Sequence, residues 1–87
     1  MTRKNPIELN QIMQFLGDEW KLISVGFWNM GWFADLQIKE RKFQLVSDRG
    51  YIDVYEKIEE KLLPILPPFE QRLSITPAQV SALLKNA

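Results

Sequence analysis

Asp35 and Asp53 are the two residues whose type and parity could bring acid/base chemistry to one surface. Each falls on the polar step of an alternating run, Trp32 to Lys39 and Tyr51 to Tyr55, so in a sheet both carboxylates project from the same face. A carboxylate pair works as acid and base only when its members flank one reacting bond. In the register expected below, Asp35 faces Val46 and Asp53 faces Gln44, two strands apart. Strand spacing alone then separates them by on the order of 10 Å. No pocket is implied around either, so catalysis is not expected.

Other catalytic chemistries are narrowed by what the chain lacks. It has no histidine and no cysteine, which removes disulfides, the usual zinc sites, thiol nucleophiles and imidazole bases. Glu56, Glu59 and Glu60 interleave with Lys57 and Lys61, the pattern of a solvated surface, and no metal or other cofactor is expected. Gly-Phe-Trp-Asn-Met-Gly at 26–31 lacks the lysine and hydroxyl of a P-loop and reads as a turn.

Recognition is the remaining class. Phe27, Trp28, Trp32 and Phe33 cluster around Met30, and Trp and Met are favoured in interface hot spots. Trp32 belongs to the core face, which leaves Trp28 and Phe33 least explained by packing. The polar sheet face adds Asp35, Gln37, Tyr51, Asp53 and Tyr55, and tyrosine combines apolar area with a hydrogen-bonding tip. The candidate interaction surface is therefore Trp28, Met30, Phe33, Asp35, Gln37, Tyr51, Asp53 and Tyr55. A basic rim of Lys39, Arg41, Lys42, Arg49 and Lys57 could clamp single-stranded RNA, but Glu40, Asp48 and Glu56 interleave with it.

The elements that must position these residues are legible in the patterning. Trp32, Ala34, Leu36 and Ile38 alternate with polar partners over a strand at about 32–39, and Phe43 and Leu45 do so over 42–47. Ile52 and Val54 do the same over 51–55. A four-residue closure at Lys39–Lys42 sets Ile38 opposite Phe43 and Leu36 opposite Leu45. An even loop through Ser47-Asp48-Arg49-Gly50 pairs Leu45 with Ile52, because an odd one would turn the apolar set outward. Lys21 to Phe27 is a credible fourth strand at about 22–27.

Helices are expected at three places. Asn5 as N-cap, Pro6 and Glu8 begin one at about 6–20, with Leu9, Ile12, Met13, Leu16 and Trp20 as its stripe. Ile58 and Leu62 share a face of a short helix at about 56–63, followed by an extended Pro64–Pro68 connector. Thr76, Pro77 and Gln79 form a capping box for a helix at about 77–86, with Ile75 as a staple.

The expectation is thus one α+β domain over 1–87, with an antiparallel meander of three or four strands and three helices. At 87 residues it buries only roughly 60% of its unfolded surface. Eleven basic residues balance eleven acidic ones, so no overall field draws it to nucleic acid or to an anionic membrane. The basic start at Met1–Lys4 is followed by Pro6, Glu8 and Asn10 rather than a signal-like apolar core, which points to the cytoplasm. By elimination the function expected is non-catalytic binding of a protein partner. A sharper form is an immunity-type or antitoxin-like protein that occludes a cognate toxin; the contrasting class is a weak RNA-binding module. An edge strand or the Trp28 loop also offers a surface for a homodimer.

Overall fold

Gly17 takes φ 94°, a conformation that residues with a side chain rarely adopt, and its N–H bonds back to the Met13 carbonyl at 3.1 Å. The first helix therefore stops there. In the computed structural model, which describes residues 5–49, 51–65 and 75–87, this helix α1 spans Ile7–Leu16 rather than the expected 6–20. Trp20 lies beyond the helix yet is buried in the core. The expected capping box is not made: Pro6 occupies the N-cap position, with no side-chain cap bond. The Glu8 carboxylate instead accepts a hydrogen bond from Trp32 Nε1 at 3.1 Å, tying α1 to the sheet.

The sheet is an antiparallel meander in the order β1-β2-β3-β4-β5, with β1 Lys21–Trp28, β2 Gly31–Ile38, β3 Arg41–Asp48, β4 Tyr51–Ile58 and β5 Lys61–Pro64. Two positions separate each strand from the next, and the hairpins are centred one residue from where they were expected, earlier between β2 and β3 and later between β3 and β4. Leu36 consequently pairs with Phe43 and Ala34 with Leu45, and Leu45 pairs with Val54 rather than Ile52. Both registers differ from expectation by an even number of residues, so every side chain keeps its face.

The sheet has five strands, not three or four, and the helix expected at 56–63 does not form. Its residues instead lengthen β4 to Ile58, turn at Glu59 and Glu60, and return as β5. Both turn residues have positive φ, 50° and 69°, which Asn or Gly would adopt more cheaply than Glu. Good helix formers are overridden here because Lys57 and Glu56 continue the ladder with Lys42 and Phe43. Two helices, not three, accompany the sheet among the described residues. Of the expected connector, Pro64 ends β5 and 66–68 lie outside the described residues.

In β1 the alternation is broken by a bulge between Leu22 and Ser24. Ile23 is the extra residue and is exposed, and the bulge lets Leu22, Val25 and Phe27 all pack on the core. Helix α2, Pro77–Lys85, forms with its capping box complete: Thr76 Oγ1 accepts from the Gln79 N–H at 3.2 Å, and Gln79 Oε1 accepts from the Thr76 N–H at 2.8 Å. Ile75 packs against the core beside it.

Leu9, Ile12 and Leu16 of α1 and Val80 and Leu84 of α2 share one buried cluster with Trp32, Leu36, Phe43, Leu45, Ile52 and Val54. α1 packs on α2, and α2 meets β4. No described helix is long and apolar enough to cross a membrane. With the core on one side of the sheet, no described element covers the other.

Candidate functional site: the open sheet face

Pleating sends alternate residues of each strand to the open face, and the register lines them up in four rows across the sheet. The first row is Lys21, Gln37, Lys42, Lys57 and Leu62; the second is Ser24, Asp35, Gln44, Tyr55 and Pro64. The third is Gly26, Phe33, Val46 and Asp53, and the fourth is Trp28, Gly31, Asp48 and Tyr51. One end of the face is thus a line of lysines. The other carries aromatic rings beside two aspartates.

Among the described residues no ion pair neutralises the lysine row. Lys42 and Lys57 are direct cross-strand partners, an arrangement that like charges destabilise. Among the described residues the ion pairs are Arg41–Glu56 and the looser Arg49–Asp48 at 3.8 Å, and neither involves these lysines. A small pocket of about 140 Å³ opens between Ile23, Asp35, Gln37, Lys42 and Lys57.

Asp35 is held rather than poised. Its Oδ2 accepts from Ser24 Oγ at 2.7 Å and its Oδ1 from Gln44 Nε2 at 3.1 Å. The observed register reverses the expected neighbours, so that Asp35 faces Gln44 and Asp53 faces Val46. The two carboxylates lie two strands and two residues apart, on the order of 12 Å by strand geometry. They do not form a pair.

At the aromatic end the Phe33 ring lies over Gly26, so close that a Cβ there would sit 2.0 Å from the ring's far carbon. The ring covers backbone that a strand glycine leaves bare. Trp28, Phe33, Gln44 and Val46 line a shallow groove of about 370 Å³. Trp28, Phe33 and Tyr51 keep 43%, 37% and 44% of their surface exposed, values that separate them from the buried rings of Trp20, Trp32 and Phe43.

Of the eight residues expected to form the interaction surface, Trp28, Phe33, Asp35, Gln37, Tyr51, Asp53 and Tyr55 share this face. Met30 stands at the exposed turn between β1 and β2. Sequence reasoning missed Lys21 and Ser24, and it dispersed Lys42 and Lys57 into a general basic rim. Their alignment follows from the β1 bulge and the extension of β4, neither of which has a local signature.

The basic rim itself is split between the faces. Arg41 lies on the helix side, where Nε and Nη2 each donate to Glu56 at 2.9 Å and Nη1 donates to the Ala87 carbonyl at 2.8 Å. Its guanidinium also sits 5.0 Å from the centre of the Phe43 ring, which in turn packs 5.3 Å from Trp20. The hydrogen bonds from Arg41 hold the Glu56 carboxyl below its ordinary range, and Glu56 raises Arg41 in return. This cluster ties β3, β4 and the end of α2 together and is structural. No protein-family model, curated protein or solved structure matches the chain, so the open face itself is the ground for assigning a function.

Proposed function

We propose that this chain is a non-catalytic, cytoplasmic binding protein whose working surface is the open face of its sheet. The observation that carries the reading is the exposure of Trp28, Phe33 and Tyr51 on one face with no described cover, where Trp28 and Phe33 line a shallow groove with Gln44 and Val46. Aromatic rings contribute large contact area at small entropic cost, so such a cluster suits a protein partner. Carboxylates share the face with the lysines, so it offers no uniformly basic surface to a phosphate backbone, which favours protein over RNA. Asp35 is engaged through both oxygens, which supports a positioning rather than a catalytic role.

The test is capture of a partner by the tagged chain, its identification, and reconstitution of the complex from purified components. A Trp28→Ala, Tyr51→Ala variant with unchanged circular dichroism should bind that partner at least about tenfold more weakly. Equal affinity of the variant would remove the open face as the working surface.

A further inference from the structure

Resting on that reading, we propose that the occupant of the open face is a second copy of this chain, packed face to face about a two-fold axis that runs across the strands. Val25, Ala34, Leu45 and Val54 are successive register partners and form a straight line midway between the lysine row and the aromatic row. A dyad parallel to that line maps each open-face residue onto the one equally far on its other side. Lys42 then meets Asp48 of the second copy, Lys57 meets its Tyr51, and Lys21 meets its Trp28. By symmetry each contact is made twice. The three lysines, which take part in no ion pair among the described residues, thus receive one carboxylate and two aromatic faces, charge and cation–π partners of matching chemistry.

The direction of the axis follows from charge. A dyad along the strands would lay the lysine row on its own copy and repel. Lys42 and Asp48 cannot meet within one chain, since six residues of the same strand separate them, roughly 20 Å. In the two-fold arrangement the second copy supplies that contact, beside the looser Arg49–Asp48 pair within each chain. Near the axis, Asp35 of one copy faces Phe33 of the other, and the bonds from Ser24 and Gln44 already satisfy that carboxylate as it leaves water. The aligned twist of about 30° between packed sheets moves the outer rows by a few ångströms, within reach of a lysine stem. Equal numbers of acidic and basic residues leave no net repulsion between copies. The face measures on the order of 20 Å on each side, the low end for a specific interface, so the dimer is of moderate affinity.

Sedimentation equilibrium of the intact chain from about 10 µM to about 1 mM tests this, the range in which a moderate interface passes from monomer to dimer. Wild type is expected to dimerise there. Lys42→Glu alone and Asp48→Lys alone should each weaken the dimer by about tenfold or more, because each opposes like charges twice. An equimolar mixture of the two variants should regain near-wild-type association. In the mixed dimer the carboxylate introduced in one chain meets the ammonium introduced in the other, while the unaltered Asp48 and Lys42 still face each other across the interface. If Asp48→Lys disturbs its turn by circular dichroism, β4 gives a one-sided version: Tyr51→Lys alone opposes Lys57 twice and should weaken the dimer, and mixing it with Lys57→Glu should restore association. A chain that stays monomeric throughout overturns the proposal, as does a dimer indifferent to these charges. So does a monomer whose lysine-row amides shift with a poly-glutamate or oligo(dT) probe. In those cases the reconstituted partner complex and the Trp28→Ala, Tyr51→Ala variant still decide the broader reading independently.

Discussion

Gly31 and Gly26 are both strand glycines on the open face, yet the structure assigns them opposite sensitivities to alanine. A Cβ at Gly31 would lie 2.0 Å from the Ser47 carbonyl oxygen and 2.8 Å from its carbon, both main-chain atoms. Non-bonded carbon contacts settle near 3.5–4.0 Å, so β2 and β3 would have to part by more than about 1 Å at the Gly31–Asp48 pair. Overpacking of this kind costs about 1–3 kcal/mol. A weakened ladder bond adds roughly 1 kcal/mol more. Gly31→Ala should therefore lose about 2–4 kcal/mol, a large part of the roughly 5–10 kcal/mol expected of a domain this size. At about 4–8 °C per kcal/mol the melting temperature should fall by roughly 8–32 °C. At Gly26 the obstructing atoms are the far end of the Phe33 ring, which can rotate away. Alanine is also a better strand residue than glycine by about 0.5–1 kcal/mol. Gly26→Ala should consequently stay within about 1 kcal/mol of wild type while displacing Phe33 and weakening binding at the open face. Urea unfolding followed by tryptophan fluorescence measures both. A Gly31→Ala variant within about 0.5 kcal/mol of wild type would refute the close strand approach. Equal losses at the two sites would refute the distinction between main-chain and ring obstruction.

Because Arg41 lowers the Glu56 carboxyl in the folded chain, the pair's stabilisation is complete above the unfolded carboxyl pKa, about 4.3, and is lost as pH falls through the lower folded value. Urea midpoints of wild type should therefore drop more steeply on acidification from about pH 6 to about pH 3 than those of Glu56→Gln, and parallel curves would show that the pair adds nothing. The Ile65 N–H bonds to the Val54 carbonyl at 2.7 Å, so antiparallel alternation turns the Pro64 nitrogen to the outer edge of β5. Pro64→Thr should leave urea stability within about 0.5 kcal/mol but speed aggregation measured by light scattering, since it restores an outward N–H to an edge strand; an unchanged aggregation rate would refute this role.

The core face was legible because period-2 alternation survives even-numbered errors in register. The pairing of Leu45 differed from expectation by two residues without moving any side chain to the wrong side. The cap of α2 was legible too, since Thr76, Pro77 and Gln79 act on their own backbone and need no tertiary partner. By contrast, Glu8 fits a capping box in sequence, but Trp32 competes for its carboxylate from 24 residues away, and no local pattern records that. The stretch 56–63 has strong helix formers and Ile58–Leu62 spacing, and it becomes a strand pair only because β3 supplies a ladder for Glu56 and Lys57. The bulge at Ile23 likewise answers to β2, not to its own neighbours. Six of the eight candidate surface residues could share a face on parity alone; Trp28 joins them because β1 runs on to it from the expected end at 27, and the rows that set their neighbours required the register.

The element that local pattern misassigned also generates the charge asymmetry of the open face. A β4 ending at Tyr55 would leave Lys57 on a helix, and Lys42 would face no cation. Extending β4 to Ile58 sets Lys42 against Lys57, a like-charged pair that costs roughly 0.2–1 kcal/mol. The same extension places Lys57 as far from Val54 on one side as Tyr51 lies on the other, which is the condition for a two-fold partner to bring ring and cation together. A plain solvated face would have no use for this repulsion, since one acidic residue at position 42 or 57 would remove it. A face that closes against another acidic and aromatic surface does use it. In the proposed dimer the row, unfavourable on the open face, would be matched by a carboxylate and rings, and that difference would add to the free energy of association.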